Sequence, residues 1–380
     1  MPIFKNKDNR IPMYLPMDAF SGFRSRFPVL TQYTYLNTAA WGLLHDGLLE
    51  WRQEYDLDYL IGGSITKIKF LSLLKDTREN LGQFFNCPPG NIALCPNFSL
   101  GLNLLLEGLD SSNRVLMLEG DYPSLNWPFE SRGFPMEELP QGPDLEDRII
   151  SYLRQSGADV LALSLVQWIN GLMISPEFLR SLKEEYPDLL IIADATQFAG
   201  AYQLDFSSSG IDVLGGSGYK WLLGGNGNGF VLLSEASKTR FQLYSIGFNS
   251  MDHDIASKED IPFARKLEPG HLDTLCFGSL NYGLGLLQEL GMKLVDQYNR
   301  DLGGKVKRAL EELQLLDHTI STREAHSTIF NIPEPGGRYR HLKKHGIVCS
   351  PRGGGIRVSF HCYNSENDLD KLIEVLKSGP

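Results

Sequence analysis

The chain has no CxxC spacing, no apolar run long enough to span a membrane and no excess of basic charge. Each lack removes a class of function. The five cysteines, Cys87, Cys95, Cys276, Cys349 and Cys362, stand far apart. An odd count without paired spacing fits neither a disulfide framework nor a zinc site, so no metal is expected and the thiols read as reduced, in a cytoplasmic protein. A formal charge of −10 argues against a nucleic-acid partner, because phosphate backbones demand concentrated Lys and Arg. The one basic cluster, Arg338–Lys344, reads as the solvated face of a short helix. Near the start, charges and prolines stand where a signal peptide needs an apolar core. What remains suits a globular enzyme: 380 residues bury a large core, and two domains accommodate it better than one.

The most informative stretch is Leu189–Ala201, LLIIADATQFAGA, followed by Gly215–Gly225, GGSGYKWLLGG. A short apolar run closed by an acid reads as a buried parallel strand that delivers Asp194, with Thr196 and Gln197 behind it, at its carboxyl end. That edge of an open α/β sheet is where ligands bind. Lys220 follows between Tyr219 and Trp221. A lysine enclosed by apolar neighbours sheds its charge, and a neutral amine is the nucleophile of Schiff-base chemistry. One buried lysine and one buried acid are what pyridoxal 5'-phosphate requires: the amine holds its aldehyde, and the carboxylate keeps its ring nitrogen protonated. Gln197 is placed to reach the ring hydroxyl or the imine region.

Asp194-Ala195-Thr196-Gln197 and Ser217-Gly218-Tyr219-Lys220 resemble the cofactor motifs of the class V aminotransferases. That family of fold-type I pyridoxal-phosphate enzymes includes cysteine desulfurases, kynureninases and isopenicillin N epimerase-like proteins. Tyr219 stands where the family usually has His. The resemblance implies an α/β chain: a large domain with a mostly parallel sheet between helices, plus a smaller α+β C-terminal domain. Expected boundaries are an arm over 1–35 that joins the small domain, a large cofactor-binding domain over 36–250, and the small domain over 251–380. Strand–helix alternation from residue 91 to 233 supports the sheet independently.

Further motifs follow in family order. The run Asn37-Thr38-Ala39-Ala40-Trp41-Gly42 resembles the substrate-side YLNxAA segment, implying substrate contacts for Asn37, Ala39 and Ala40; spacing alone also fits a helix start over Leu43–Tyr59. Asn97-Phe98-Ser99 turns from a strand over Ile92–Cys95 into a helix over Leu100–Leu109, a phosphate cradle or a plain capped helix. Tyr122, at the end of a strand over Val115–Leu118, is either a ring to stack on the cofactor or a turn tyrosine. Asn170 matches the segment near the cofactor O3′, and Ser217 and Tyr219 flank the lysine. His271 replaces the threonine with which the family reaches the phosphate of the neighbouring subunit, implying a homodimer with shared sites; a packed turn histidine fits equally. The glycine-rich run Gly224–Gly229 does not read as a dinucleotide fingerprint, because a strand and not a helix follows it.

Near the C-terminus, period-two alternation sends Arg357, Ser359 and His361 to one face and Ile356, Val358 and Phe360 to the other. Arg352-Gly353-Gly354 through Tyr363-Asn364 resembles the family's C-terminal signature, whose strand arginine clamps the substrate carboxylate. Arg357 takes that role, with Arg352 a second candidate. The substrate expected is a small amino acid, processed at Cα by transamination or by desulfurase- or lyase-type elimination. Epimerase chemistry, a kynureninase-like hydrolysis, and a catalytically silent cofactor-binding regulator stay open. Cys349, in the apolar pattern GIVCS, reads as a packed strand thiol more readily than as a sulfur acceptor.

Overall fold

The computed structural model describes residues 18–251 and 259–379, so residues 1–17 of the expected N-terminal arm lie outside the described residues. From Asp18 onward the arm is folded: α1 (Asp18–Ser25) leads through a turn to β1 (Thr34–Tyr35). Two long helices follow, α2 (Asp46–Gly62) and α3 (Lys67–Phe85). The first of them starts later than Leu43, because His45 is its cap and accepts from Gly47 N through Nδ1.

Seven short strands then build the main sheet: β2 (Ile92–Cys95), β3 (Val115–Leu118), β4 (Met136–Leu139), β5 (Val160–Ser164), β6 (Leu190–Asp194), β7 (Val213–Ser217) and β8 (Gly229–Leu233). Their order across the sheet is β2-β8-β7-β6-β5-β3-β4, and only β8 runs antiparallel to its neighbours. Both faces are buried, as the unbroken apolar strands require. On one face Leu161, Leu163, Ile191 and Ala193 pack beneath α3, α6 (Leu145–Gln155), α7 (Pro176–Glu185) and α8 (Thr274–Leu290). On the other, Val160, Ala162, Leu190 and Ile192 pack beneath α4 (Phe98–Leu106) and α5 (Pro123–Glu130). Helix α4 begins two residues before Leu100, with Asn97 Oδ1 accepting from Leu100 N as its cap.

The sequence predicts one helix over Gly278–Tyr298 and another over 301–315, and the break falls elsewhere. Helix α8 stops at Gly291, whose φ of +86° and N–H bonds to Leu287 and Gln288 end it as a C-cap. A continuous α9 (Met292–Glu312) follows. Gly303 lies inside it because that face of α9 packs against Ser327 and Thr328.

After α10 (His318–Thr322) come β9 (Ile329–Pro333), α11 (Arg338–Lys344), β10 (Ile347–Val348), β11 (Ser350–Arg352), β12 (Gly355–Ser359) and α12 (Glu366–Lys377). Strand β12 is the centre of an antiparallel three-stranded sheet, β11-β12-β9, while β10 pairs in parallel with β1. The predicted alternation is realised. Ile356, Val358 and Phe360 join a core with α9 and α12, and the opposite face looks toward the main sheet. There His361 Nε2 meets Trp221 O at 3.0 Å, and Ser359 Oγ accepts from Ala39 N at 2.9 Å.

Candidate active site

The carboxyl ends of β3, β5, β6 and β7 converge on one cavity, lined by Tyr122, Ser164, Val166, Trp168, Asp194, Thr196, Gln197 and Lys220. Asp194 is the last residue of β6 and is buried, with Oδ1 accepting from Thr196 N at 2.7 Å. Burial pushes its carboxyl above the usual range, while Thr196 and the Lys220 ammonium pull it back. Lys220 lies in the turn after β7 and is only 5% exposed. Its Nζ stands 5.5 Å from the ring centroids of both Tyr122 and Tyr219, and it has no hydrogen-bond acceptor among the described residues. Burial lowers its pKa, Arg357 pushes the same way, and Asp194 opposes. The balance brings its pKa down to about 7, so a substantial neutral fraction is present near neutral pH.

Several segments hold that lysine in place. Gly42 N donates to Tyr219 O at 2.9 Å, and any Cβ on Gly42 would lie 1.9 Å from Lys220 O. Only glycine permits this approach. Gly224–Gly229 forms a turn into the antiparallel β8, and Asn228 Nδ2 donates to Gly224 O, Gly225 O and Cys276 O. On the sheet side, Ser217 N donates to Thr196 Oγ1.

Arg357 projects from β12 and is 2% exposed. Its Nη1 donates to Trp168 O at 2.6 Å, whereas its buried Nε has no partner and no carboxylate pairs with it among the described residues. Burial and the neighbouring Arg352 draw its pKa down to about 10. A buried guanidinium without a counter-charge costs energy unless an anion arrives. Arg352, on β11, is exposed, with its guanidinium 6.0 Å from the Trp168 ring centroid.

Other expected site residues are placed differently. Gln197 lines the cavity, but Trp221 Nε1 donates to its Oε1 and its Nε2 donates to Ala39 O, leaving one amide hydrogen for a ligand. Phe98 contributes its backbone: Phe98 N donates to Ser217 Oγ, and its ring packs into the space a Cβ on Gly215 would take. Asn97 is occupied as a helix cap. Ser99 is half-buried in the first turn of α4, with no hydrogen-bond acceptor for its hydroxyl among the described residues. Asn170 does not line the cavity; its Nδ2 donates to Gln141 and its Oδ1 accepts from Leu172 N. Asn37 accepts from Ser350 Oγ, and Ala39 is tied at both backbone ends, so this run frames the site while Ala40 stays half-buried beside it. His271 is exposed beside Phe248, away from the cavity lining.

One buried acid behind the cavity wall was given no role from the sequence. Asp121, buried three residues past the end of β3, accepts from Tyr122 N, Ser164 N, Ser164 Oγ and Gln167 Nε2. It fixes both Tyr122 and Ser164 at the cavity wall. An apolar strand closed by an acid is the pattern that exposed Asp194, and VLMLEGD carries it in weaker form.

A family model for aminotransferase class V matches residues 64–372. The chain belongs to that family. A probable cysteine desulfurase of Pyrococcus abyssi is 22% identical, over 96% of this chain and 98% of the relative. Isopenicillin N epimerase of Amycolatopsis lactamdurans is 25% identical, over 80% and 84%. Among solved structures, the cystine C–S lyase C-DES in complex with cysteine persulfide superposes with a TM-score of 0.83 at 20% identity, over 93% of this chain and 100% of that one. An apo cysteine desulfurase from Thermococcus onnurineus NA1 gives 0.81 at 20%, over 97% and 99%. The recognition from DATQ and SGYK, the fold-type I α/β architecture and the pyridoxal-phosphate-dependent enzyme expected from them are therefore borne out. The site of this class V enzyme fits its cofactor. A buried amine without an acceptor and a buried acid open onto one cavity, and an uncompensated guanidinium waits beside them.

Proposed function

We propose that this class V enzyme carries out a β-elimination that releases sulfur from a cysteine-derived amino acid, without an enzyme thiol. The observation that carries this reading is the place of the cysteines. All five are free, and none lines the cavity. Burial raises each thiol's pKa, to about 12 for Cys87 and Cys349 and about 11 for Cys276, and further for Cys95 and Cys362. A buried, protonated thiol is a poor nucleophile. The relatives named cysteine desulfurase and the neighbour named cystine C–S lyase supply the sulfur chemistry; the thiol-free site favours the lyase route.

In this reading Lys220 would tether the cofactor aldehyde, Asp194 would keep its ring nitrogen protonated, Tyr122 would offer a ring to stack on it, and Ser99 and Ser217 would offer hydroxyls to its phosphate. Bound pyridoxal phosphate supplies the electron sink that makes the substrate Cα–H acidic. Arg357 binds the α-carboxylate through its unpaired face, which fixes Cα relative to Lys220. The Lys220 amine, freed when the substrate amine takes its place at the aldehyde, would accept the Cα proton. The electron pair left on Cα forms the Cα=Cβ bond as the Cβ–S bond breaks, and the sulfur leaves with that bond's pair. Hydrolysis of the released enamine gives pyruvate and ammonia. The enzyme is a cytoplasmic homodimer in this reading, with His271 reaching the partner's site.

Product analysis tests it. Cystine and S-alkylcysteines should yield pyruvate and ammonia in equal amounts, and turnover should survive alkylation of accessible thiols on the folded protein. Alanine as the product would assign a thiol-dependent desulfurase. A keto acid formed only with an amino acceptor present would assign a transaminase.

A further inference from the structure

Two arginines face the same way across the β11–β12 hairpin. Ser350 pairs with Arg357 in the register, and Arg352 lies two residues further along β11, so Arg352 and Arg357 share one face of the sheet. The hairpin tip is docked rather than free: a Cβ on Gly353, whose φ is +61°, would lie 2.4 Å from Ile169 Cγ2. Arg357 Nη1 holds Trp168 O, and Asn331 Nδ2 holds Arg352 O. Arg352 is thereby set beside the Trp168 ring, which lines the cavity, and Arg357 is buried behind the same residue, bonded to its carbonyl. Among the described residues neither guanidinium has an acidic partner, although the chain carries 46 acidic residues against 36 Lys and Arg. Each depresses the basicity of Lys220, so both act on the same space.

A single carboxylate clamp needs one guanidinium. The second, beside an aromatic ring and without an acidic partner among the described residues, is free to take a second anion. We infer that this site selects amino acids with a second anionic group at the far end of the side chain, Arg357 taking the α-carboxylate and Arg352 the distal one. The inference rests on the elimination reading for its reaction but not for its binding. Among sulfur substrates it favours those whose leaving half itself bears a carboxylate over cysteine or S-methylcysteine.

Equilibrium binding tests the inference separately from the chemistry. Calorimetric titration of the holoenzyme with a series of unreactive α,ω-dicarboxylates, from succinate to suberate, should find at least one that binds tenfold or more tightly than the monocarboxylate of equal length. Arg352→Gln should collapse that ratio to near one, and Arg352→Lys should restore part of it. Kinetically, kcat/KM for S-carboxymethylcysteine over S-methylcysteine should fall at least tenfold in Arg352→Gln, through KM. Equal binding of mono- and dicarboxylates, or a ratio that Arg352→Gln leaves intact, would overturn the inference. If no substrate yields pyruvate but the dicarboxylate preference is present, the elimination reading fails and the inference survives.

Discussion

At the scale of single residues, burial sets protonation in the site. Lys220 is lowered by desolvation and by the cationic Arg357, and Asp194 is raised by desolvation. In the proposed roles, removing the amine removes both tether and base, so Lys220→Ala should cut turnover by ~10²–10⁴-fold or more, read in steady-state assays with folding checked by circular dichroism. Asp121 makes a subtler case. Asp121→Asn turns an amide hydrogen toward Ser164 N–H, Ser164 O–H or Gln167, leaving a buried donor unmatched at a cost of about 1–3 kcal/mol. Its positioning role predicts a shifted cofactor absorbance maximum besides a lower melting temperature. A drop in stability with an unmoved spectrum would make Asp121 merely structural.

Legibility at this scale followed how local each signal was. Asp194 and Lys220 stood out because an acid ending an apolar strand, or a lysine among aromatics, is anomalous within a few residues. Asn170 and Gln197 could not be read alike, because what occupies an amide depends on partners far away in sequence: Gln141 for the one, Ala39 for the other, with Trp221 nearer. Asp121 was hidden by the Glu-Gly pair before it, which blurs the strand end.

At the scale of elements, β12 joins the two sheets. Its inward face carries Arg357 to Trp168 O, Ser359 to Ala39 N and, just beyond, His361 to Trp221 O. Alternation was readable in the sequence, whereas the helix boundary at Gly291 was not: Gly291 ends a helix through its own positive φ and cap bonds, while Gly303 stays inside one that packs against Ser327 and Thr328, and the sequence marks both simply as glycine. His361 is buried and its pKa is lowered to about 3 by desolvation, against a usual 6.5. Between those values the unfolded chain binds a proton that the folded chain refuses. This group therefore withdraws stability as pH falls below about 6.5, by ~1.4 kcal/mol per unit within the window. Urea midpoints should drop from pH 7 to pH 5, and His361→Gln should flatten that slope. An unchanged slope would remove His361 as the acid-sensitive link. At the other edge of the site, Gly42→Ala should displace the Lys220 turn and lower cofactor affinity at least tenfold in equilibrium dialysis, because the new Cβ meets a backbone oxygen with no room to yield.

At the scale of the whole molecule, one surface is unusually apolar. Around the junction of α2 and α3, Leu60, Ile61, Ile65 and Ile68 are 81%, 78%, 88% and 83% exposed, with Leu57 and Tyr59 beside them. Contiguous exposed apolar residues of this size mark an interaction surface. Symmetric dimers are the commonest closed assembly, and the proposed role of His271 requires a second subunit. Sedimentation at micromolar concentration should give a mass near twice 42.6 kDa, and Ile65→Glu with Ile68→Glu should shift it toward the monomer. No described helix is long and apolar enough to cross a membrane, so the patch is not read as a spanning segment.

The central claim is that one amine, Lys220, holds the cofactor. Borohydride reduction of the purified holoenzyme, followed by digestion and mass spectrometry, tests it most directly. A pyridoxyl adduct is expected on the peptide containing Lys220, and none at that position in Lys220→Ala. An adduct confined to other lysines, or none on a protein that has bound the cofactor, would contradict it.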